Sequence, residues 1–193
     1  MRQQAAQNVS KQMTNEIRPR KLVCLTGFMG SGKSTTARML ASQLGWLNTD
    51  LDLRITEATH LTIPEIFARM GEAEFRRVEH EQLARVVAET AVTQKPRIVS
   101  LGGGTIMQPQ NLALLREAAA VLIWLHCPIE ELLQRCAHIV DRPLFRDEAS
   151  FRRLYQERLP TYELADYRVD SRSEPSRVIE QIVALGIFPG VTA

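Results

Sequence analysis

Glycines at 27, 30 and 32 stand immediately before Lys33, Ser34 and Thr35, in the stretch GFMGSGKST. Successive backbone N–H groups can wrap a phosphate only where no Cβ intervenes, so these glycines supply both turn and clearance. A helix opening near Lys33 adds unpaired N–H groups and the positive end of its dipole. Lys33 brings a point charge toward β- and γ-phosphates, and the Ser34 hydroxyl can ligate Mg²⁺. The stretch satisfies G-x-x-x-x-G-K-[ST], with apolar LVCLT before it and amphipathic TARMLASQLG after it. The chain is expected to bind a nucleoside triphosphate, with Gly30, Ser31, Gly32, Lys33, Ser34 and Thr35 as the loop that holds it.

What surrounds this loop narrows the chemistry. No NKxD string is present, as a GTP-dependent switch would carry for base specificity. The central strand-like runs end in LGGG and LHC, not in the acidic residues of a motor or transport ATPase. The acidic pair comes early instead, as Asp50 and Asp52 in NTDLD. That suits a small kinase, in which one carboxylate handles metal-bound water and the other faces the acceptor hydroxyl. Either one could equally be a helix N-cap, since DLDLRITEA could begin a helix.

Further along, Arg76 in FRRVE could grip a carboxylate through its planar guanidinium. Glu72 and Glu79 lie four before and three after it, so spacing alone also allows an ordinary helix-surface pair. Arg158 in ERLPTY precedes Pro160, where a helix should end, and a basic residue favours such a terminus. Gly102, Gly103 and Gly104 follow the strand-like IVSL at the edge where open α/β sheets bind ligands. Phe67 and Phe75 read as core by spacing. Arg142, in the polar stretch HIVDRPLFRDEA (138–149), could be no more than an exposed basic residue before a proline turn.

Taken together, GFMGSGKST, DLD, IPEIFARMGEAEFRRVE, SLGGGT, DRPLF and RLPTYELAD resemble the shikimate kinase family in order and spacing, from Leu22 to about Asp170. The P-loop is shared by many families; GE-x-x-FR-x-x-E followed by GGG and R-P-L is much narrower. The resemblance implies a nucleoside-monophosphate-kinase-like P-loop fold, a three-layer α/β/α domain on a five-stranded parallel sheet with a mobile lid. It implies transfer of the γ-phosphoryl group of ATP to the shikimate 3-hydroxyl, with Mg²⁺, in the pathway to chorismate and aromatic amino acids. On that resemblance Lys33, Asp52 and Arg142 are catalytic, Asp52 touching the acceptor hydroxyl as base or positioner. Asp50 reaches Mg²⁺ through water beside Ser34. Arg76 and Arg158 clamp the shikimate carboxylate, Glu79 orients Arg76, and Gly102, Gly103, Gly104, Phe67 and Phe75 complete the acceptor site. Arg135 packs over adenine, and Arg142 swings onto the transferring phosphate. The rival readings are a kinase of another small hydroxy acid such as gluconate, and a nucleotide-binding regulatory module without turnover.

The elements that must position these residues alternate in kind. Strands are expected at Leu22–Thr26, Trp46–Thr49, Arg97–Leu101, Val121–His126 and Tyr167–Asp170. Helices are expected at Lys33–Leu44, Pro64–Met70, Glu72–Thr93, Pro109–Ala118, Ile129–Ala137, Ser150–Arg158 and Glu174–Leu185. Strand, crossover helix and strand again is the pattern of a parallel sheet. The unalternating IVSL and VLIWL suit strands covered on both faces. One domain over 21–193 is expected, with a lid at about 138–149 and a solvated tail at 1–20.

Composition sets the outer bounds. The chain has 193 residues, 45% hydrophobic and 24% charged, with a net charge of +2. Residues 1–21 carry five basic side chains and one acid, so the remainder is slightly acidic, and no nucleic-acid surface is expected. No apolar run exceeds the eight residues 118–125, far short of a membrane span. The first twenty residues hold no signal-peptide core. Cys24, Cys127 and Cys136 form no CxxC pair, which argues for free thiols in a reducing compartment and a cytoplasmic location. ATP and shikimate are the expected partners, and the kinase is expected to act as a monomer.

Overall fold

The structure, a computed structural model, describes residues 21–137 and 147–188. The tail expected at 1–20 and most of the expected lid therefore lie outside the described residues. In chain order the elements are β1 (Leu22–Thr26), α1 (Lys33–Leu44), β2 (Leu47–Asp50), α2 (Leu51–Thr59), α3 (Ile63–Thr93) and β3 (Arg97–Ser100). There follow a 3₁₀ turn (Thr105–Met107), α4 (Pro109–Glu117), β4 (Val121–His126), α5 (Ile129–Cys136), α6 (Glu148–Tyr162), β5 (Tyr167–Asp170) and α7 (Pro175–Val183).

The five strands form one parallel sheet in the order β2-β3-β1-β4-β5. Every residue of β1 and β3 is buried, because helices cover both faces. Val23, Leu25, Ile98 and Ile123 pack with Ala37, Leu40 and Ile182 from α1 and α7. Cys24, Val99, Leu122 and Trp124 face the larger cluster, with Leu83 and Val86 of α3, Leu115 of α4 and Phe151 of α6. Parallel strands put all the β-to-α loops at one edge of the sheet, and the loops after β1, β2 and β3 carry the chemistry.

Three expected boundaries are corrected. The helix expected at Ser150–Arg158 runs from Glu148 to Tyr162, straight through Pro160. A proline removes one intrahelical bond, but here it sits in the last turn, where Tyr162 is fully buried and stacks on Trp124. Glu163 N–H still reaches the Leu159 carbonyl at 3.0 Å. The same helix claims the end of the expected lid: Asp147 is its N-cap, accepting from Ser150 N–H at 2.7 Å. Helix α2 was not among the expected elements; Asp50 starts it, accepting the Asp52 N–H at 3.0 Å and the Leu53 N–H at 3.3 Å, both through Oδ1.

Helix α3 is two helices joined at Gly71, whose φ of 80° and ψ of 171° are not helical. A Thr62–Glu65 capping box starts the first half. In a straight helix, Phe67 and Phe75 would stand about 12 Å apart along the axis. The kink brings their ring centroids to 4.7 Å.

Candidate active site

The P-loop leaves β1 through Gly27, Gly30 and Gly32, with φ of 142°, 79° and 88°. Each is needed for its own reason. A Cβ on Gly27 would stand 2.6 Å from the Leu125 carbonyl of β4, and one on Gly30 would stand 2.7 Å from Cys136 Sγ of α5. Gly32 is the N-cap of α1, without a side-chain cap and without an acidic residue in the first turn. The N-terminal N–H groups are thus left to an anion. Lys33 Nζ donates to the Phe28 carbonyl at 2.9 Å, keeping the amine over the loop. The Ser31 side chain is turned inward and buried, its hydroxyl without a hydrogen-bond partner among the described residues, so Ser31 can offer a ligand only its backbone.

Beside the loop lies a cleft of about 390 Å³, lined by Gly30, Gly32, Thr35, Arg135, Arg172 and Pro175 among others. Arg135 donates to the Ser171 carbonyl at 3.0 Å and the Arg172 carbonyl at 2.7 Å, and reaches the Gly30 carbonyl at 3.5 Å. It joins the P-loop to the segment after β5 and forms one wall of the cleft. Its aliphatic stem and flat guanidinium are suited to cover a planar base.

At the strand ends, Ser34 Oγ lies 3.3 Å from Ser100 Oγ, and Ser100 is the register partner of Asp50. Two hydroxyls and a carboxylate are hard oxygen donors, fit for a Mg²⁺ that keeps waters and phosphates as its remaining ligands. Among the described residues no cluster of three or more His, Cys, Asp or Glu could cage a metal by itself. Ser100 was not legible in the sequence as a site residue; its signal is the strand end it shares with Asp50.

The three glycines after β3 have a common cause. None has a positive φ, so the turn does not require glycine. Clearance does. A Cβ on Gly102 would lie 3.0 Å from Asp52 Oδ1, one on Gly103 would lie 3.3 Å from Arg158 Nη1, and one on Gly104 would lie 2.8 Å from Arg76 Nη2. Each glycine makes room for a different side chain, from α2, α6 and α3 respectively. The sequence reading placed these residues at one site, and the structure brings them together.

The two arginines differ in what they already hold. Arg76 is paired with Glu79 at 2.8 Å and Glu72 at 3.2 Å. Arg158 is 7% exposed, at mid-helix and not at a terminus, and among the described residues it has no carboxylate partner. Its guanidinium carbon lies 5.6 Å from the centre of the Phe28 ring, and the phenol of Tyr162 is beside it. Phe75 is buried and Phe67 partly so, their pair flanking Arg76, whose guanidinium carbon is 5.1 Å from the Phe75 ring centre. Tyr162, not singled out in the sequence although its block was noted, donates to the Gly103 carbonyl at 2.6 Å. Burial pushes its pKa up to about 12. Arg142 and the rest of 138–146 lie outside the described residues.

The cysteines are free and buried, as the missing CxxC spacing led us to expect. Desolvation raises the pKa of both Cys24 and Cys127. Among the described residues no helix is long and apolar enough to cross a membrane.

Comparison with known proteins agrees with this fold. Residues 29–185 match the family profile described as shikimate kinase. The chain is 40% identical over 165 residues to a shikimate kinase from Geobacter metallireducens, covering 84% of this chain and 87% of the relative. The shikimate kinase from Acinetobacter baumannii, solved in complex with shikimate, superposes with a TM-score of 0.78 at 32% identity, over 90% of this chain and 97% of that one. That from Aquifex aeolicus gives a TM-score of 0.74 at 31% identity, over 84% of this chain and 94% of that one. The five-stranded parallel sheet with its P-loop is the fold these kinases share. On profile, identity and coverage, the chain belongs to the shikimate kinase family.

Proposed function

We infer that the chain transfers the γ-phosphoryl group of ATP to the 3-hydroxyl of shikimate, giving shikimate 3-phosphate and ADP. The observation that carries the substrate is Arg158. A guanidinium held 7% exposed with no carboxylate partner among the described residues bears a desolvation cost that a bound anion would offset. Arg76 stands one glycine away, so two forks can meet one carboxylate and refuse a neutral polyol. The Phe67–Phe75 pair offers an apolar wall to the ring.

The step itself breaks the bond between the γ-phosphorus and the β,γ-bridging oxygen while the shikimate hydroxyl oxygen bonds to phosphorus. Asp52, held beside Gly102, lines up the hydroxyl and takes or directs its proton. The P-loop N–H groups and Lys33 hold the β- and γ-phosphates. Mg²⁺, when bound, would neutralise phosphate charge, and Ser34, with Asp50 through water, is the set that would hold it. Asp50 spends only Oδ1 on capping α2, so the two roles are compatible. Arg135 covers the base from the wall of the cleft. Arg142, assigned by the DRPLF block, stabilises the transferring phosphoryl group. We place the enzyme in the cytoplasm as a monomer, in keeping with its buried free thiols. We propose a single domain at 21–193, with residues 1–20 as a tail to it.

The test is ADP release with Mg²⁺ and ATP in the presence of shikimate, gluconate, AMP or no acceptor. Turnover with shikimate alone is expected. Turnover with gluconate instead would keep the nucleotide site and overturn the acceptor; ATP binding without any turnover would indicate a regulatory module.

A further inference from the structure

The hydrogen bonds behind Arg76 do not end at Glu79. Glu79 is fully buried; its Oε2 accepts from Arg76 Nη1 at 2.8 Å, while its other oxygen, Oε1, accepts the Thr105 hydroxyl at 2.7 Å. Thr105 opens the 3₁₀ turn after the glycines, and its backbone carbonyl accepts Asn111 Nδ2 at 2.9 Å. Asn111, on α4, is fully buried, and its Oδ1 lies 2.7 Å from His80 Nδ1. Since the Asn111 amide nitrogen is committed to a carbonyl, Oδ1 must accept, and His80 Nδ1 must carry the proton. His80 follows Glu79 in α3, so the chain of bonds closes a ring through α3, the turn and α4.

The ring has a mechanical consequence. A buried carboxylate with one oxygen fixed by a hydroxyl cannot rotate about its last bond without leaving a donor unpaired. The angle of Oε2, and with it the plane of Arg76, is then set by Thr105. Asn111 sets Thr105 in turn, by fixing the backbone from which its hydroxyl projects.

We propose that Thr105 and Asn111 are positioning residues for acceptor recognition: through Glu79 they hold the Arg76 guanidinium in the plane that meets the substrate carboxylate. This rests on the shikimate reading above. Neither residue lines the cleft beside the P-loop, so their influence should fall on the acceptor side.

The experiment compares wild type, Thr105→Val, Thr105→Ser, Glu79→Gln and the double variant Glu79→Gln/Thr105→Val. Each is assayed for shikimate and ATP kinetics, with thermal unfolding measured alongside. Valine keeps the shape and removes the hydroxyl; the expected result is a shikimate KM raised about tenfold, the size of one lost hydrogen bond to a charged group, with ATP KM unchanged. Thr105→Ser restores the wild-type value. In the Glu79→Gln background, Thr105→Val adds little, because both act through one carboxylate. A Thr105→Val enzyme with shikimate KM within about twofold of wild type, equal rises for both substrates, no rescue by serine, or additive effects in the double variant would each overturn the proposal; the reference is the usual scatter of independent sites. Wild-type protein that turns over no shikimate would overturn the functional reading itself, and this inference with it. If the valine variant fails to fold, the serine rescue fails as its control, and Asn111→Asp is then expected to raise shikimate KM alone by upsetting the same carbonyl; an unchanged shikimate KM in that folded variant overturns the proposal.

Discussion

Arg158 places its Nη1 3.3 Å from the point where a Cβ on Gly103 would stand, and Arg76 sits 2.8 Å from the corresponding point on Gly104. The glycine run after β3 is therefore a cradle whose floor is backbone and whose walls are two guanidinium groups. Its shape is decided by what is missing from residues 102–104.

A methyl group on Gly104 tests this directly. It would strike only the guanidinium end of Arg76, which can shift while keeping its hold on Glu79, so Gly104→Ala should lower the melting temperature far less than a clash with backbone would. The displaced Arg76 should raise shikimate KM by about tenfold or more while ATP KM holds, as for a lost charge-assisted bond. Gly27→Ala meets a backbone carbonyl at 2.6 Å with φ at 142°, so nothing can yield cheaply. That variant should unfold many degrees lower or fail to accumulate, a contrast visible in thermal melts of the two proteins.

Arg158→Met should separate stability from function in the opposite sense. Methionine fills the buried stem's space without the desolvation cost of an uncompensated charge. The variant is expected to melt at or above the wild-type temperature. Its shikimate KM should rise by about a hundredfold, for the loss of a two-pronged bond to a carboxylate. Stability unchanged and KM unchanged together would remove Arg158 from the acceptor site.

How far the sequence carried this picture depends on the kind of residue. The P-loop was legible because its glycines, lysine and serine must be contiguous to work. The proposed clamp came from the grouping of FRRVE, GGG and RLPTY, although spacing alone left Arg76 open to a surface pair and Arg158 to a helix terminus. The burial of Arg158, which no local pattern encodes, and the passage of α6 through Pro160 set aside the helix-terminus reading. Thr105, Asn111 and Ser100 were invisible because their roles come from contacts across 26, 6 and 66 residues of chain, respectively. Asp50 caps α2, as the sequence allowed, and also stands at the register position opposite Ser100.

Arg142→Ala addresses the block DRPLF, whose arginine is assigned to the transferring phosphoryl group. A charge useful only in the transition state should affect kcat, by roughly 10³-fold as for arginine fingers, with far less effect on ATP affinity. Steady-state kinetics beside nucleotide titration separates the two. An unchanged kcat would take Arg142 off the catalytic set.

Tyr162 makes a prediction at high pH. Its phenol is buried against Gly103 and Trp124, and burial holds its pKa near about 12, above the roughly 10 of a free tyrosine. The folded chain keeps this proton where the unfolded chain has lost it. The stability it contributes is complete below about pH 10 and declines as pH rises toward the folded pKa, by up to about 1.4 kcal/mol per pH unit. Tyr162→Phe abolishes that slope and also forfeits the bond to Gly103, so it should start less stable at pH 8 and lose less between pH 10 and 12. Cys24, also raised by burial, contributes to both proteins and cancels in the difference. Urea unfolding of the pair at pH 8, 10 and 11 reads the result, and parallel slopes would mean that the phenol is not held neutral by the fold.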